Sequence, residues 1–396
     1  MTYIQLLSTN KNIRTLWLAG LFSNFGSWFT TVALYALLLE FNASSMLVAV
    51  LAAIHMIPGA LLAPVSGVMI DKVDAKKLIL SLIVLQIVAT FFMIFINDAS
   101  QIWLLFLLVL LKMAGARFVF TAEMALTPHL VKEEELRYAN DINAATWSIT
   151  FVVGMALGGL AVEYIGIASA FILDIFTFII AFLLMKNLQI HKTIHKSTET
   201  IMHLMKEGFF YLKNRPKVMH LILLHSAVGL TAFDALITLL ARDYYAHQVS
   251  EPLAIGFMQA IKAVGLFLGP FVFIYFTNQK KLLTWLFFAQ GLAILLWVTL
   301  QFDYYLSFFG LFFTGLFITS IWSITFSMIQ SSIDEAYYGR VIAYNDMIFL
   351  SVNAIVSILI GVLAQAHLSL ELITSIFGVM FFVTGFYYLW VKKRYL

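Results

Sequence analysis

Hydrophobic and polar positions alternate in long blocks along the chain, giving twelve apolar runs. They lie near residues 13–40, 45–70, 77–97, 101–126, 138–163, 166–186, 217–242, 252–277, 281–301, 304–329, 340–366 and 370–391. A bilayer core about 30 Å thick is crossed by ~20 helical residues at 1.5 Å rise, so each run is long enough to span it. Most runs are apolar on every side, as lipid-embedded helices are. Stretches such as Ile102 to Leu111 and Leu286 to Leu300 lack the alternation of barrel strands. The first run follows Lys11 and Arg14 but far exceeds the roughly 7–15 apolar residues of a signal peptide, so it is expected to be an uncleaved first span. The expected fold class is therefore an all-α membrane protein of 12 transmembrane helices.

Composition agrees with the pattern. Hydrophobic residues make up 62% of the 396 and charged residues 11%, against about 25% charged in soluble proteins. So few charges cannot clothe a soluble chain of this size, and they argue equally against disorder and against a nucleic-acid partner. The absence of cysteine removes disulfides and thiolate chemistry. A net charge of +3 acquires meaning from where the cations sit. If the N-terminus is cytoplasmic, all but four of the 24 Lys and Arg fall in the segments that the runs leave on that side, and the four exceptions are Lys112, Arg117, Arg242 and Lys262. Lys and Arg are retained in short cytoplasmic loops, so both termini are expected in the cytoplasm and the protein in the cell membrane.

The one long polar stretch follows the sixth run and divides the chain into residues 1–186, a cytoplasmic linker at 187–216 holding His191, His195 and His203, and residues 217–396. Weak self-similarity crosses this hinge. Ala63 and Pro64 answer Gly269 and Pro270, Lys76 and Lys77 answer Lys280 and Lys281, and Gly158 and Gly159 answer Gly361. The common offset, about half the chain, predicts two pseudo-symmetric six-helix bundles around a midplane cavity.

After the second run, Gly67, Asp71, Lys72, Asp74, Lys76 and Lys77 resemble the G-x-x-x-D-R-x-x-R-K loop signature of the major facilitator superfamily. Gly67 and Asp71 are four residues apart, on one helix face. The resemblance implies a conformational latch in which that face meets the start of helix 11, here near Gly339 and Arg340. Lys72 replaces the signature arginine, keeping charge but losing the bidentate fork. Pro128, Leu130, Val131, Leu136, Ala139 and Asn140 are similar to the P-x-L-V-x-x-x-x-L-x-x-A-N segment of the drug:proton antiporter branch that includes macrolide-efflux and enterobactin-exporter proteins. Span 5 continues with Gly154, Gly158 and Gly159, similar to the G-P-x-x-G-G core of the antiporter signature, with Met155 in place of proline. That signature implies close packing of helices 5 and 8 through small residues. The family resemblance further implies the major facilitator fold, no cofactor and a monomer.

Ionisable residues inside spans are costly and mark function by default. Lys112, Arg117 and Glu123 fall in span 4, Asp174 in span 6, Asp234 in span 7 and Lys262 in span 8. In the family, helices 1, 4, 7 and 10 line the central cavity. Asp234 is the expected proton carrier and Glu123 the second candidate, because a carboxylate in a cavity of alternating polarity can bind and release a proton. A static interhelical ion pair is the competing role for Asp234. Asn24, Trp28, Lys112, Arg117, Lys262 and Trp322 are the expected substrate-cavity residues, with 37 Phe and 16 Met suiting a soft pocket for bulky amphiphiles.

No G-x-x-x-x-G-K-[ST] loop occurs, so ATP does not power the chain from within. No metal site or convergent catalytic set is expected, since the histidines are scattered and no H-E-x-x-H occurs. The expected activity is export of an amphiphilic small molecule (a drug-like compound, macrolide or siderophore) by proton antiport. A lysophospholipid or metabolite transporter, a non-transporting sensor and a membrane-embedded enzyme are the alternatives.

Overall fold

The computed structural model describes every residue except 1, 2, 73, 189–200, 274, 277, 335 and 336, and only the backbone at 64, 66–72, 125, 133, 137 and 201. The described residues are helical, with no strand among them. In chain order the helices are α1 (Tyr3–Thr9), α2 (Lys11–Glu40), α3 (Ser45–Lys72), α4 (Ala75–Met93), α5 (Ile102–Leu130), α6 (Glu133–Ile165), α7 (Ile167–Lys186) and α8 (Ile201–Lys213). They continue with α9 (Pro216–Ser226), α10 (Asp234–Leu240), α11 (Glu251–Phe273), α12 (Gln279–Leu300), α13 (Tyr304–Gln330), α14 (Tyr338–Gln365) and α15 (Leu370–Tyr395). Twelve spans among the described residues are long and apolar enough to cross a membrane, one of them running from Pro216 to Tyr245 through α9 and α10.

Two compact units emerge, Met1–Phe41 with Val65–Glu199, and Asn42–Pro64 with Thr200–Leu396. In the first, α2 packs against α6 and α7, and α4 against α5 and α7. In the second, α13 packs against α11 and α12, and α12 against α15. The start of α3 belongs with the second unit for two local reasons. Arg242 donates to the Ala43 carbonyl at 2.9 Å and to Ser45 Oγ at 3.2 Å. Gly361 of α14, lacking a side chain, admits Met46 and Ala49 of α3.

The internal repeat is visible in helix caps. Asp74 accepts from the Lys77 amide at the start of α4, and Asn278 accepts from the Lys281 amide at the start of α12. Asp98 accepts from the Ser100 amide before α5, and Asp303 from the Leu306 amide at the start of α13. Each cap satisfies an amide that a helix N-terminus leaves without an intrahelical partner. The Asp98 carboxyl is held below the usual carboxylate range by its hydrogen bonds to Ser100.

Two elements differ from the pattern-based expectation. The stretch 187–216, expected as a linker, contains α8; His191 and His195 lie outside the described residues. Helix α8 is held to α14, where Tyr344 donates its hydroxyl to the Met205 carbonyl at 2.9 Å and Gly208 lies against Arg340 and Tyr344. The seventh run, expected as one helix over 217–242, is interrupted. Helix α9 ends in a 3-10 turn over Ala227–Thr231, the backbone opens at Ala232 and Phe233, and α10 resumes before a π-helical turn at Ala241–Tyr245. No proline causes the break. Ser226 and Thr231 turn their hydroxyls onto the carbonyls of Leu223 and Val228, a competition with the helical ladder that bends helices. Gly229 lets α14 approach so closely that a side chain there would meet Asn353 and Val352.

Candidate functional site

Within the first unit, four helices converge on a buried charge pair. Lys112 of α5 pairs its ammonium with Asp174 Oδ2 of α7, both side chains having 0% exposure. Lys112 also donates to Thr90 Oγ1 of α4 at 2.8 Å, while Thr90 and Thr30 of α2 donate to Asp174 Oδ2 at 3.1 and 2.7 Å. The ammonium lies 4.7 Å from the centre of the Phe178 ring. The pair explains Gly26, whose position abuts Asp174 and Thr177 and leaves no room for a side chain. Lys112, expected among the substrate-cavity residues, is thus engaged within the protein. Its ammonium is already spent on a carboxylate, a hydroxyl and an aromatic face, as a buried charge must be.

The other charges of α5 are placed differently. Arg117 is half-buried with its guanidinium over the Phe120 ring at 5.6 Å. Glu123 is half-buried, and its carboxylate has no hydrogen-bond or ion-pair partner among the described residues.

Along α2, Ser27 and Thr31 return their hydroxyls to the backbone one turn back, and Asn24 is half-buried. Trp28 stacks on Phe151 of α6 at 4.3 Å and meets Trp147 edge-on at 6.0 Å. Gly154 and Gly158 make this possible, for side chains there would strike Trp28, Phe29 and Val32; Gly159 is buried beside them. Within the first unit, the space that Gly154 and Gly158 leave is taken by α2. A flat indole ring seated on α6 requires the missing side chains.

In the second unit, the break in span 7 gathers Lys262 and Asp234, both expected from the sequence, with Gln259 and the Thr231 carbonyl, which were not. Lys262 of α11, 8% exposed, donates to the Thr231 carbonyl at 3.0 Å, and its ammonium lies 5.5 Å from the Phe233 ring centre. Asp234, the first residue of α10, is partly exposed and accepts from Gln259 Nε2. No cation lies within ion-pairing distance of it among the described residues, although its charge acts on Lys262. Gln259 is 1% exposed, and its Oε1 is buried without a partner. Lys262 and Gln259 are three apart on α11, so one helix face presents both.

The helix is fixed by close packing further along the same side. Gly265, Gly269 and Gly315 bring α11 and α13 into backbone contact, since side chains at these positions would meet Phe312, Leu316 and Lys262 main-chain atoms. Gly265 and Gly269 form a G-x-x-x-G pair, the sequence signal that could have announced this contact. Gln259 and Thr231 gave no comparable signal.

Near the start of the break, His225 is 1% exposed and shares a hydrogen bond with Thr325 Oγ1 at 2.8 Å. Its ring lies among Trp322, Phe326 and Phe349. Trp322 stacks on Phe326 at 5.1 Å and remains 40% exposed. Each unit thus carries a stacked indole platform.

Of the expected latch, the side chains of Gly67, Asp71 and Lys72 lie outside the described residues. Arg340 pairs with Glu207 of α8 at 2.7 Å and covers the Tyr337 ring. No group of three or more His, Asp or Glu suited to a metal occurs among the described residues.

A helical, twelve-span architecture with an interrupted seventh span and isolated intramembrane charges defines a multi-pass membrane transporter. The family model described as Major Facilitator Superfamily matches residues 16–357. The chain belongs to the Major Facilitator Superfamily. It is 22% identical over 290 residues to Macrolide efflux protein A of Streptococcus pyogenes, covering 71% of each chain. It is also 27% identical over 218 residues to the uncharacterized MFS-type transporter YkuC of Bacillus subtilis, covering 52% of this chain and 51% of that one. Among solved structures, a bacterial homologue of the iron transporter ferroportin in an inward-facing state superposes with a TM-score of 0.79 at 16% identity, over 100% of both chains. The nucleoside transporter NupG gives 0.76 at 13% identity over 98% of this chain and 100% of its own. These structures share the fold.

Proposed function

We propose that this transporter exports amphiphilic small molecules (drug-like compounds, macrolides or a siderophore) across the cell membrane in exchange for protons. It works as a monomer with both termini in the cytoplasm, and Asp234 carries the proton. The observation that carries the proposal is the contrast between two intramembrane aspartates. Asp174 is sealed, ion-paired to Lys112 and bonded by two threonines. Asp234 is partly exposed and held by a neutral amide. A partly exposed carboxylate with no direct ion pair among the described residues can gain and lose a proton at less cost than Asp174, whose protonation would remove the direct partner of Lys112. Glu123, unpartnered among the described residues, is the second titratable carboxylate.

The amphiphilic cargo is supported by the indole platforms. Trp28 with Phe151 and Trp322 with Phe326 offer flat apolar surfaces of the kind that hold bulky ligands by stacking. Similarity to Macrolide efflux protein A along 71% of both chains points the same way. Purified protein in liposomes with an imposed pH gradient tests the proposal. Asp234→Asn abolishes gradient-driven movement of a macrolide or amphiphilic dye. If such movement survives in Asp234→Asn and only thermal stability falls, Asp234 is not the carrier.

A further inference from the structure

At the break of span 7, an ammonium occupies the kind of place that a free cation takes in other transporters. Unwound backbone carbonyls at broken helices coordinate coupling ions in several transporter folds. Here the group on the carbonyl is Lys262 Nζ, 3.0 Å from Thr231 O. The Phe233 face contributes its ring quadrupole at 5.5 Å. Asp234 supplies neighbouring negative charge. Gln259 brings a buried oxygen that has no partner. Carbonyl, carboxylate and amide oxygens are ligands of hard monovalent cations; here the Thr231 carbonyl contacts the ammonium, and Asp234 and Gln259, bonded to each other, are the polar groups next along the break and one turn away on α11.

We propose that the interruption of span 7 is a monovalent-cation site whose permanent occupant is the Lys262 ammonium. Lys262 thereby holds the break open without Na+. The anchor is built to keep it there. Gly315 sits against the Lys262 carbonyl, and Gly265 against Phe312 and Leu316, so α11 is held at backbone contact with α13 at the residue that bears the ammonium. A charge delivered on a four-carbon stem gives the Thr231 carbonyl, which also accepts from the Phe233 amide at 2.8 Å, a second donor in the apolar interior. Removing the stem takes the positive charge from beside the Thr231 carbonyl and within reach of the Asp234 charge, a place that a sodium ion can take. The proposal asks of Asp234 only its charge in the deprotonated state. Its test reads ion binding, so its failure leaves the proton-antiport proposal standing.

Thermal midpoints of the purified protein are measured in sodium chloride and in choline chloride at equal ionic strength, for wild type, Lys262→Ala, Lys262→Ser and Asp234→Asn/Lys262→Ala. The expected result is a wild-type midpoint that ignores the salt. Lys262→Ala or Lys262→Ser rises by about 2 °C or more with Na+, saturably, and the rise disappears in the double variant, which lacks the carboxylate. Equal midpoints of both folded single variants in the two salts overturn the proposal. So does an equal Na+ response in wild type, or a response that persists in the double variant. Failure of both single variants to fold even in Na+ also overturns it, since the emptied site should accept that ion.

Discussion

Neutralising the buried pair of the first unit separates a packing role from a transport role. Lys112 and Asp174 are both fully buried, so removing one partner leaves an uncompensated charge, at a cost of about 3–5 kcal/mol. The structure orders the variants within that range. In Lys112→Met, Asp174 retains the hydroxyls of Thr30 and Thr90 as donors, which puts the loss near the low end. In Asp174→Leu, Lys112 keeps one hydroxyl, that of Thr90, and the Phe178 ring face, which puts it near the high end. At roughly 2 °C per kcal/mol the midpoints fall by about 6 and 10 °C. The double variant Lys112→Met/Asp174→Leu replaces two charges by apolar groups of similar volume and is expected within about 1 kcal/mol of wild type, a coupling of at least ~3 kcal/mol. Heating detergent extracts and following the monodisperse fraction by size exclusion reads the midpoints. Efflux of an amphiphilic dye from cells reads transport, which the double variant should retain. Single variants that melt with wild type yet lose transport would refute the packing role and return Lys112 to the substrate path.

Gly315→Leu and Gly265→Leu force side chains into the α11 and α13 backbones and should abolish recovery of folded protein in a fluorescence size-exclusion screen. Recovery at wild-type yield would mean that these helices separate easily. Trp322→Ala and Trp28→Ala each remove a stacked ring worth about 0.5–1.5 kcal/mol beyond its area. They should therefore raise the half-saturating concentration of an aromatic amphiphile about 2- to 10-fold, with little change for a small polar solute. The Arg340 and Glu207 side chains are 27% and 37% exposed. Screened by solvent, this pair contributes under about 1 kcal/mol, so Glu207→Gln should shift the thermal midpoint by only a degree or two; a much larger drop would assign α8 a structural role that the pair does not supply.

Much of the fold was legible because lipid imposes a simple rule. A span must be apolar and about twenty residues long, and the matched caps at Asp74 and Asn278 are local events that the Lys-Lys repeat flags. What resisted were properties of pairs distant in the chain. Lys112 and Asp174 are 62 residues apart, and nothing near either names the other. The glycines at 154 and 158 announce close packing, but the bulky Trp28 that fills their space is on α2. The break in span 7 lacks a proline, and its causes, two back-bonded hydroxyls and Gly229 beside Asn353, are individually common in membrane helices. At the candidate site, Asp234 and Lys262 stood out as charges in apolar runs. Gln259 and the Thr231 carbonyl did not, because an amide and a backbone oxygen acquire their role only from the break.

Proton antiport through Asp234 is tested most directly by paired assays on Asp234→Asn in liposomes: uptake of labelled macrolide driven by a pH gradient, and exchange of labelled for unlabelled macrolide at equal pH. The account predicts that gradient-driven uptake is lost while exchange continues, because the substrate path survives without its proton carrier. Gradient-driven uptake at the wild-type rate in Asp234→Asn would contradict it.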